Sequence, residues 1–391
     1  MVGRAPARRR DWSWRSQAFR GLIYQVLTVA LLGVGVWYLS HNTLANMAAR
    51  GIQSGFDFLR QVAGFDIGES LMPYDALDPY WKAFVVGILN TLRVAVIGIV
   101  LATVLGTLLG VGRFSHNAIV RGFCYGYVEL FRNVPVLLQL LMWYLLVTEW
   151  LPSPDAALAL GPFRLSKEGL SFPVPVWEAG HAFAAAGAVA GLVAAWLYRR
   201  WARRDFDATG RPHRPAPMSL AIVIGATVLG WLAGGAPTGW SIPALDGFQL
   251  QGGASATPEF LGLLVGLVLY TSAFIAEVVR AGVASVSHGQ IEAAGCLGLS
   301  KRQAMRLVIL PQSLRVIIPP ITGQYLNLTK NSSLAVAIGY PDVVSIANTS
   351  LNQTGRAVEC IAIVMAVYLS TSLSTSGFMN WYNRRTAVKE R

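Results

Sequence analysis

Apolar residues in this chain come in long unbroken runs rather than in the period-two alternation of a strand or the single stripe of a soluble helix. Measured against the roughly 20 residues needed to cross a bilayer core, eight runs qualify, near 22–40, 84–112, 123–147, 182–198, 219–235, 260–279, 316–340 and 358–378. The pattern predicts an all-α polytopic membrane protein with about eight transmembrane helices. The first run follows the basic stretch "RAPARRRDWSWRSQAFR". It is longer than the apolar core of a cleavable signal, so an uncleaved anchor is expected.

Composition agrees: 54% of the 391 residues are apolar, only 13% are charged, and the mean hydropathy is +0.47. A soluble domain carries about 25% charged residues. The net charge of +12 suggests either nucleic acid or an anionic surface, and the placement of the charges decides between them. If the N-terminus is inside, the internal segments 1–20, 113–121, 199–217, 280–315 and 380–391 hold 23 Lys and Arg, and the external segments hold 6. The other three, Arg93, Arg132 and Lys330, lie within apolar runs. Cytoplasmic loops carry the basic excess, so both termini are placed in the cytoplasm, and nucleic acid is not needed to explain the charge.

The organisation that follows is a basic cytoplasmic N-terminus (1–21), a first transmembrane helix (22–40), a transmembrane core (84–378) and a basic cytoplasmic tail (379–391). Within the core, 148–258 is expected to be an insertion with a Pro-rich external loop, two extra Ala/Gly-rich helices and the basic internal loop "RRWARRDFDATGRPHRP". That arginine cluster is expected to contact anionic lipid head groups. The three cysteines, Cys124, Cys296 and Cys360, show no metal or disulfide spacing and are expected to be ordinary buried thiols.

The least membrane-like stretch of the second half is the loop 285–312, with "QIEAAGCLGLSKRQAMRLVILPQ" at its centre. Ser287 precedes Gln290 by three residues, as Ser300 precedes Gln303, and both pairs match the capping box that starts a helix. Gly298 suits the left-handed position that closes the first helix, and Pro311 is expected to end the second. Ile291, Ala294 and Leu297 or Gly298 form one apolar stripe, and Met305, Val308 and Ile309 another. Glu292, Lys301, Arg302 and Arg306 lie opposite. Alone, this module passes for a DNA-binding helix-turn-helix or an interfacial hairpin on lipid. Its short tethers to two membrane helices keep it from reaching a major groove.

Glu292-Ala293-Ala294, Gly298 and Val308-Ile309-Leu310-Pro311 resemble, in identity and spacing, the EAA motif of membrane subunits of ABC importers. The one departure is Val308, where Ile is common. "FRNVPVLLQLLMWY", "LNQTG" and "FMNWYN" extend the likeness to the polar amino-acid uptake subfamily. The chain resembles the larger permease subunit of broad-specificity L-amino-acid transporters.

The resemblance implies a type I importer core in a bacterial inner membrane. Its cytoplasmic two-helix loop, through Glu292, Ala293, Ala294, Gly298, Leu310 and Pro311, would plug a groove on an ATP-binding subunit present as a dimer. It also implies a second homologous permease subunit and a periplasmic amino-acid-binding protein. ATP and magnesium would be used by the partner, with no cofactor on this chain, because no G-x-x-x-x-G-K-[ST] phosphate loop is present.

Polar groups at membrane depth are functional candidates. Asn327, Thr329, Lys330, Asn331 and Ser332 form a belt in the seventh run after Pro319 and Pro320. Arg132 interrupts the third run, and Glu277 and Arg280 close the sixth. The belt, Arg132 and Glu277 are the candidates for a substrate pathway, with a local Glu277–Arg280 pair and a snorkelling Arg132 as the plainer alternatives. A secondary transporter driven by an ion gradient would share these features but would need paired broken helices. An enzyme would need a convergent catalytic cluster, and the five histidines, His41, His116, His181, His213 and His288, all fall outside the runs.

Overall fold

The computed structural model describes residues 16–386 apart from 50, 52, 53, 211, 212, 214 and 248. The basic residues up to 15 and beyond 386 lie outside the described residues. The helices are α1 (Gln17–Ala49), α2 (Tyr80–Gly112), α3 (Ala118–Asn133), α4 (Val136–Leu145), α5 (Ala179–Thr209), α6 (Pro215–Ala233), α7 (Pro258–Ala284), α8 (His288–Cys296), α9 (Lys301–Ala304), α10 (Leu310–Asn331), α11 (Val343–Thr354) and α12 (Ala357–Thr386). Among the described residues, seven helical stretches are long and apolar enough to cross a membrane, or eight if the bent pair formed by α3 and α4 is one span.

The chain forms two compact units, residues 1–96 with 282–391 and residues 97–281. In the first, Phe58, Tyr80, Phe84, Val343, Ile346 and Cys360 form a buried core. The segment before α2 is folded onto it, where hydropathy shows only a loop: the Arg356 guanidinium bonds Asp57 at 3.2 Å, the Gly55 N–H donates to Glu359 at 2.5 Å, and the Tyr80 hydroxyl bonds Gln353 at 2.7 Å. In the second unit, α2 packs against α7 through Gly106 and Gly110. A Cβ at Gly106 would stand 2.7 Å from both Ile275 Cβ and the Ser272 carbonyl oxygen, so only glycine permits this approach.

Three features depart from the hydropathy reading. The third run is not one straight span, because α3 and the helix after it meet at 105°. Pro135 has no N–H and disfavours a helical Val134, which is extended at φ −99°, ψ 130°. Buried Gln139 then donates from Nε2 to the carbonyls of Phe131 and Val134, both at 2.9 Å, satisfying groups that the break leaves free.

The insertion is not wholly helical and loop. It adds β1 (Leu158–Leu160), β2 (Phe163–Ser166), β3 (Gly169–Phe172), β4 (Val174–Pro175), β5 (Trp240–Ser241), β6 (Ala244–Asp246), β7 (Gln249–Gln251) and β8 (Ala254–Ala256). These pair antiparallel as β1-β2-β3-β8, β4-β5 and β6-β7. Strands of two to four residues are too short to show alternation.

The seventh run also differs. The helix does not stop at Pro311 but passes from α9 through a π-helical turn, Met305–Ile309, into α10, where Pro311 occupies the first turn and its missing N–H is tolerated. Beyond Asn331 the backbone tightens to a 3₁₀ segment, Ser332–Ile338.

Candidate functional site

The two-helix loop lies within the first unit. Its first helix starts at Ser287, whose backbone is extended but whose hydroxyl makes no capping bond, so the predicted first capping box does not form. Gln290 is instead turned toward Gln312 Nε2 at 3.5 Å, a contact across to α10 that sequence spacing does not reveal. Ser300 and Gln303 do form a capping box: Gln303 N–H donates to Ser300 Oγ at 3.4 Å, and Ser300 N–H donates to Gln303 Oε1 at 2.9 Å.

Between the helices Gly298 has φ +71°. The Leu299 N–H bonds the Ala294 carbonyl at 3.1 Å, and the Gly298 N–H bonds the Gly295 carbonyl at 2.9 Å. This pair of bonds is the Schellman closure of a helix end, and the left-handed position suits glycine.

Ala294 and Ile309 are buried as the stripes predict, but Ile291, Leu297 and Met305 are exposed, Leu297 at 80%. Glu292 is exposed as well, with 72% of its side chain accessible, and it meets His288 at 3.4 Å. Cys296, expected to be buried, is exposed at the end of α8, whereas Cys124 and Cys360 are buried. The loop therefore exposes apolar Ile291, Leu297 and Met305 as well as charged Glu292. Beside it a cleft of about 530 Å³ is lined by Ser285, Gln290, Leu307, Pro311, Gln312 and Arg315, among others. At the root of the loop Gly282 packs on Ile317 with no room for a Cβ.

The candidate pathway residues fall into separate settings. In the second unit Glu277 is more than a local pair with Arg280. Its carboxylate takes Arg280 and Arg113, each at 2.5 Å, and Arg132 stands 3.8 Å away. Arg132 also lies over the Phe274 ring and Arg113 over Tyr125. One carboxylate among three arginines ties α2, α3 and α7 together and leaves a positive surplus.

In the first unit, Thr329 and Ser332 are buried and donate to their own helix, to Tyr325 at 2.9 Å and Thr329 at 2.8 Å. Asn327 and Lys330 are exposed, and Asn331 is half-buried.

A polar cluster missed by sequence reading lies nearby in that unit. Buried Asn90 donates to the carbonyls of Glu69 at 2.8 Å and Pro341 at 3.0 Å, and its Oδ1 has no partner among the described residues. Thr91 Oγ1 accepts the Val343 N–H at 3.1 Å, Tyr340 donates to the Asn90 carbonyl at 3.3 Å, and Arg93 pairs with Glu69. Asp342, in the segment between the seventh and eighth spans, caps α11 through the Ser345 N–H at 2.8 Å. Burial pushes its carboxyl up to about 7 against the lowering pull of the Ser345 and Val344 N–H groups. The signal available in sequence was Asn90-Thr91 inside an otherwise apolar run.

Residues 217–388 match the family model described as "Binding-protein-dependent transport system inner membrane component". The whole chain aligns with the general L-amino acid transport system permease protein AapQ of Rhizobium johnstonii at 45% identity, covering 100% of this chain and 99% of that protein. It is 46% identical to the putative amino-acid ABC transporter permease protein YhdX of Escherichia coli K12, over 97% of each. It is 38% identical to the glutamate/glutamine/aspartate/asparagine transport system permease protein BztB of Rhodobacter capsulatus, over 95% of each. The chain belongs to this family of membrane-embedded transport permeases. These relatives are ABC amino-acid permeases rather than transporters driven by an ion gradient, and the exposed two-helix loop and the polar clusters belong to a transport subunit.

Proposed function

We propose that the permease carries L-amino acids, with a broad specificity that takes in polar ones, across a bacterial inner membrane, driven by ATP hydrolysed on a separate subunit. In this reading it pairs with a second homologous permease subunit and receives substrate from a periplasmic amino-acid-binding protein. Both termini face the cytoplasm, which is where the Lys and Arg excess points.

The observation that carries this reading is the exposed loop itself. A Gly298-closed helix pair displays Glu292, Ile291 and Leu297, and its second helix runs into α10 through a π-turn without an interruption. Docked in a groove of a dimeric ATP-binding subunit, the loop would be moved when ATP draws the two copies together. Glu292 would make a charge-assisted contact to a basic residue of the partner, and Gly282 against Ile317 would pass the displacement to α10. ATP and magnesium bind the partner in this scheme, not this chain. Asn327, Thr329, Lys330, Asn331 and Ser332 in the first unit, and Arg132 and Glu277 in the second, are the candidate groups for a substrate pathway.

Reconstituted vesicles test the scheme. Amino-acid uptake is expected only with the ATP-binding subunit, the binding protein and ATP all present. Uptake driven by a proton gradient alone refutes it. Co-purification of a tagged second permease subunit checks the pairing.

A further inference from the structure

The insertion carries a feature that coupling and substrate passage leave unused. Strands β3 and β8 pair, with Phe172 opposite Ala254, and β4 and β5 pair, with Pro175 opposite Trp240. The Val176 N–H adds a bond to the Gly239 carbonyl at 2.9 Å. The chain thus leaves and returns at adjacent points, and the excursion between them closes on itself.

Helices α5 and α6 pack principally on one another. Gly180 meets Gly234, Gly187 and Gly230 sit against the facing helix, and Gly191 stands against Val223, in each case without space for a Cβ. Arg199 Nε ties the far end to Ser219 Oγ at 2.9 Å.

What remains outward is apolar on several sides. Phe183, Leu192 and Trp196 of α5 and Leu220, Leu229 and Leu232 of α6 are all more than half exposed. A protein partner covers one face, whereas a bilayer covers all of them. From Ala182 to Tyr198 the helix rises about 25 Å at 1.5 Å per residue, close to a hydrocarbon thickness. Trp177 stands at one end, and Trp201 stands at the other beside Arg200, Arg203 and Arg204. Arg200 lies over the Trp196 ring at 5.1 Å. Asp205 is engaged by His213 at 2.6 Å, and among the described residues no carboxylate pairs with Arg203 or Arg204.

We propose that α5 and α6 form a self-closed, lipid-embedded hairpin whose basic end, Arg200, Arg203 and Arg204 framed by Trp196 and Trp201, binds the phosphate head group of an anionic phospholipid. Guanidinium forks match phosphate oxygens, and the aromatic pair suits the interface. The role is separate from coupling and stands whether or not the transport scheme above holds.

The full-length permease in mixed micelles of phosphatidylglycerol and phosphatidylcholine, analysed by native mass spectrometry, tests this. The wild type is expected to retain phosphatidylglycerol preferentially. The R200Q/R203Q/R204Q variant, eluting as a monodisperse species with unchanged helicity, is expected to lose at least about tenfold of that preference, since each arginine near an anionic surface contributes roughly fivefold. The triple lysine variant, which keeps the charge but loses the guanidinium fork, is expected to fall between the two. An undiminished preference in the glutamine variant overturns the proposal, as does displacement of the lipid by inorganic phosphate alone. A photo-crosslinker at Leu192 or Leu229 should capture lipid, and capture of a second protein chain makes the face a subunit interface and overturns the proposal as well.

Discussion

The turn at Gly298 offers a graded perturbation whose size follows from geometry. A Cβ at this residue meets nothing within 4 Å, so no steric clash contributes. The cost of a side chain is that of the left-handed backbone at φ +71°, about 1–2 kcal/mol for an ordinary residue. Asparagine tolerates this region, so Gly298→Asn costs little. Gly298→Ala pays the strain, and Gly298→Val pays more because its branched Cβ is stiff. Gly298→Pro cannot reach a positive φ and also removes the N–H that bonds Gly295 at 2.9 Å. If the ATP-binding subunit recognises only the closed turn, the strain reappears in the docking equilibrium. Affinity should then fall about 5- to 30-fold for alanine, stay within about twofold for asparagine, and vanish for proline. Membrane insertion and thermal stability of the isolated permease should hardly change, since the loop is exposed. The assay is binding of the purified ATP-binding subunit to permease in nanodiscs, paired with ATP-driven uptake. Equal affinity for glycine, alanine and proline at this position would refute the link between turn geometry and docking.

Three further perturbations address the other sites. Glu277→Gln removes the carboxylate that Arg113, Arg280 and Arg132 share and should lower stability by about 2 kcal/mol or more, read as a reduced Tm of the detergent-solubilised protein. Gln139→Leu keeps the volume but orphans the Phe131 and Val134 carbonyls. It should cost about 1–3 kcal/mol, with faster protease cleavage at the break between α3 and α4. Asp342 has a folded pKa of about 7 against an ordinary 3.8, so the folded state holds its proton more tightly. Its contribution is full below pH ~4 and is lost as pH rises through about 7. Thermal unfolding of wild type against Asp342→Asn across this window should show the wild type losing stability with rising pH and the variant, which retains a capping oxygen, losing less.

The parts of this architecture that hydropathy exposes are those set by solvent. A helix facing lipid must be apolar along its length, so the positions of the spans follow from run length alone. The turn at Gly298 was legible for a different reason: a left-handed residue between two helices leaves few choices of amino acid. Departures arise where tertiary contacts overrule local cues. Ser287 has the right spacing to cap α8, yet Gln290 faces Gln312 from α10 instead, and Pro311 reads as a stop until a π-turn gives it a first-turn position. The Asn90 cluster was hidden because its partners, the carbonyls of Glu69 and Pro341, are backbone atoms 21 and 251 residues away. No spacing rule reaches that far.

Glycine placement separates the rigid contacts from the adaptable ones. Gly106 and Gly110 bring α2 against α7, and Gly282 brings the end of α7 against α10, each with no space for another atom. Close-packed helices transmit displacement because packed interfaces have little room to deform. Gly289, Gly295 and Gly298, in contrast, have open surroundings and lie in the loop that meets a partner in the proposed scheme. In that scheme a push delivered to the loop enters a segment with freedom to fit a groove, and reaches α10 both along the continuous helix through the π-turn and through the contact of Gly282 with Ile317, which has no room to give. On this reasoning a larger residue at Gly282 harms transport more than one at Gly289, although Gly289 lies nearer the docking motif.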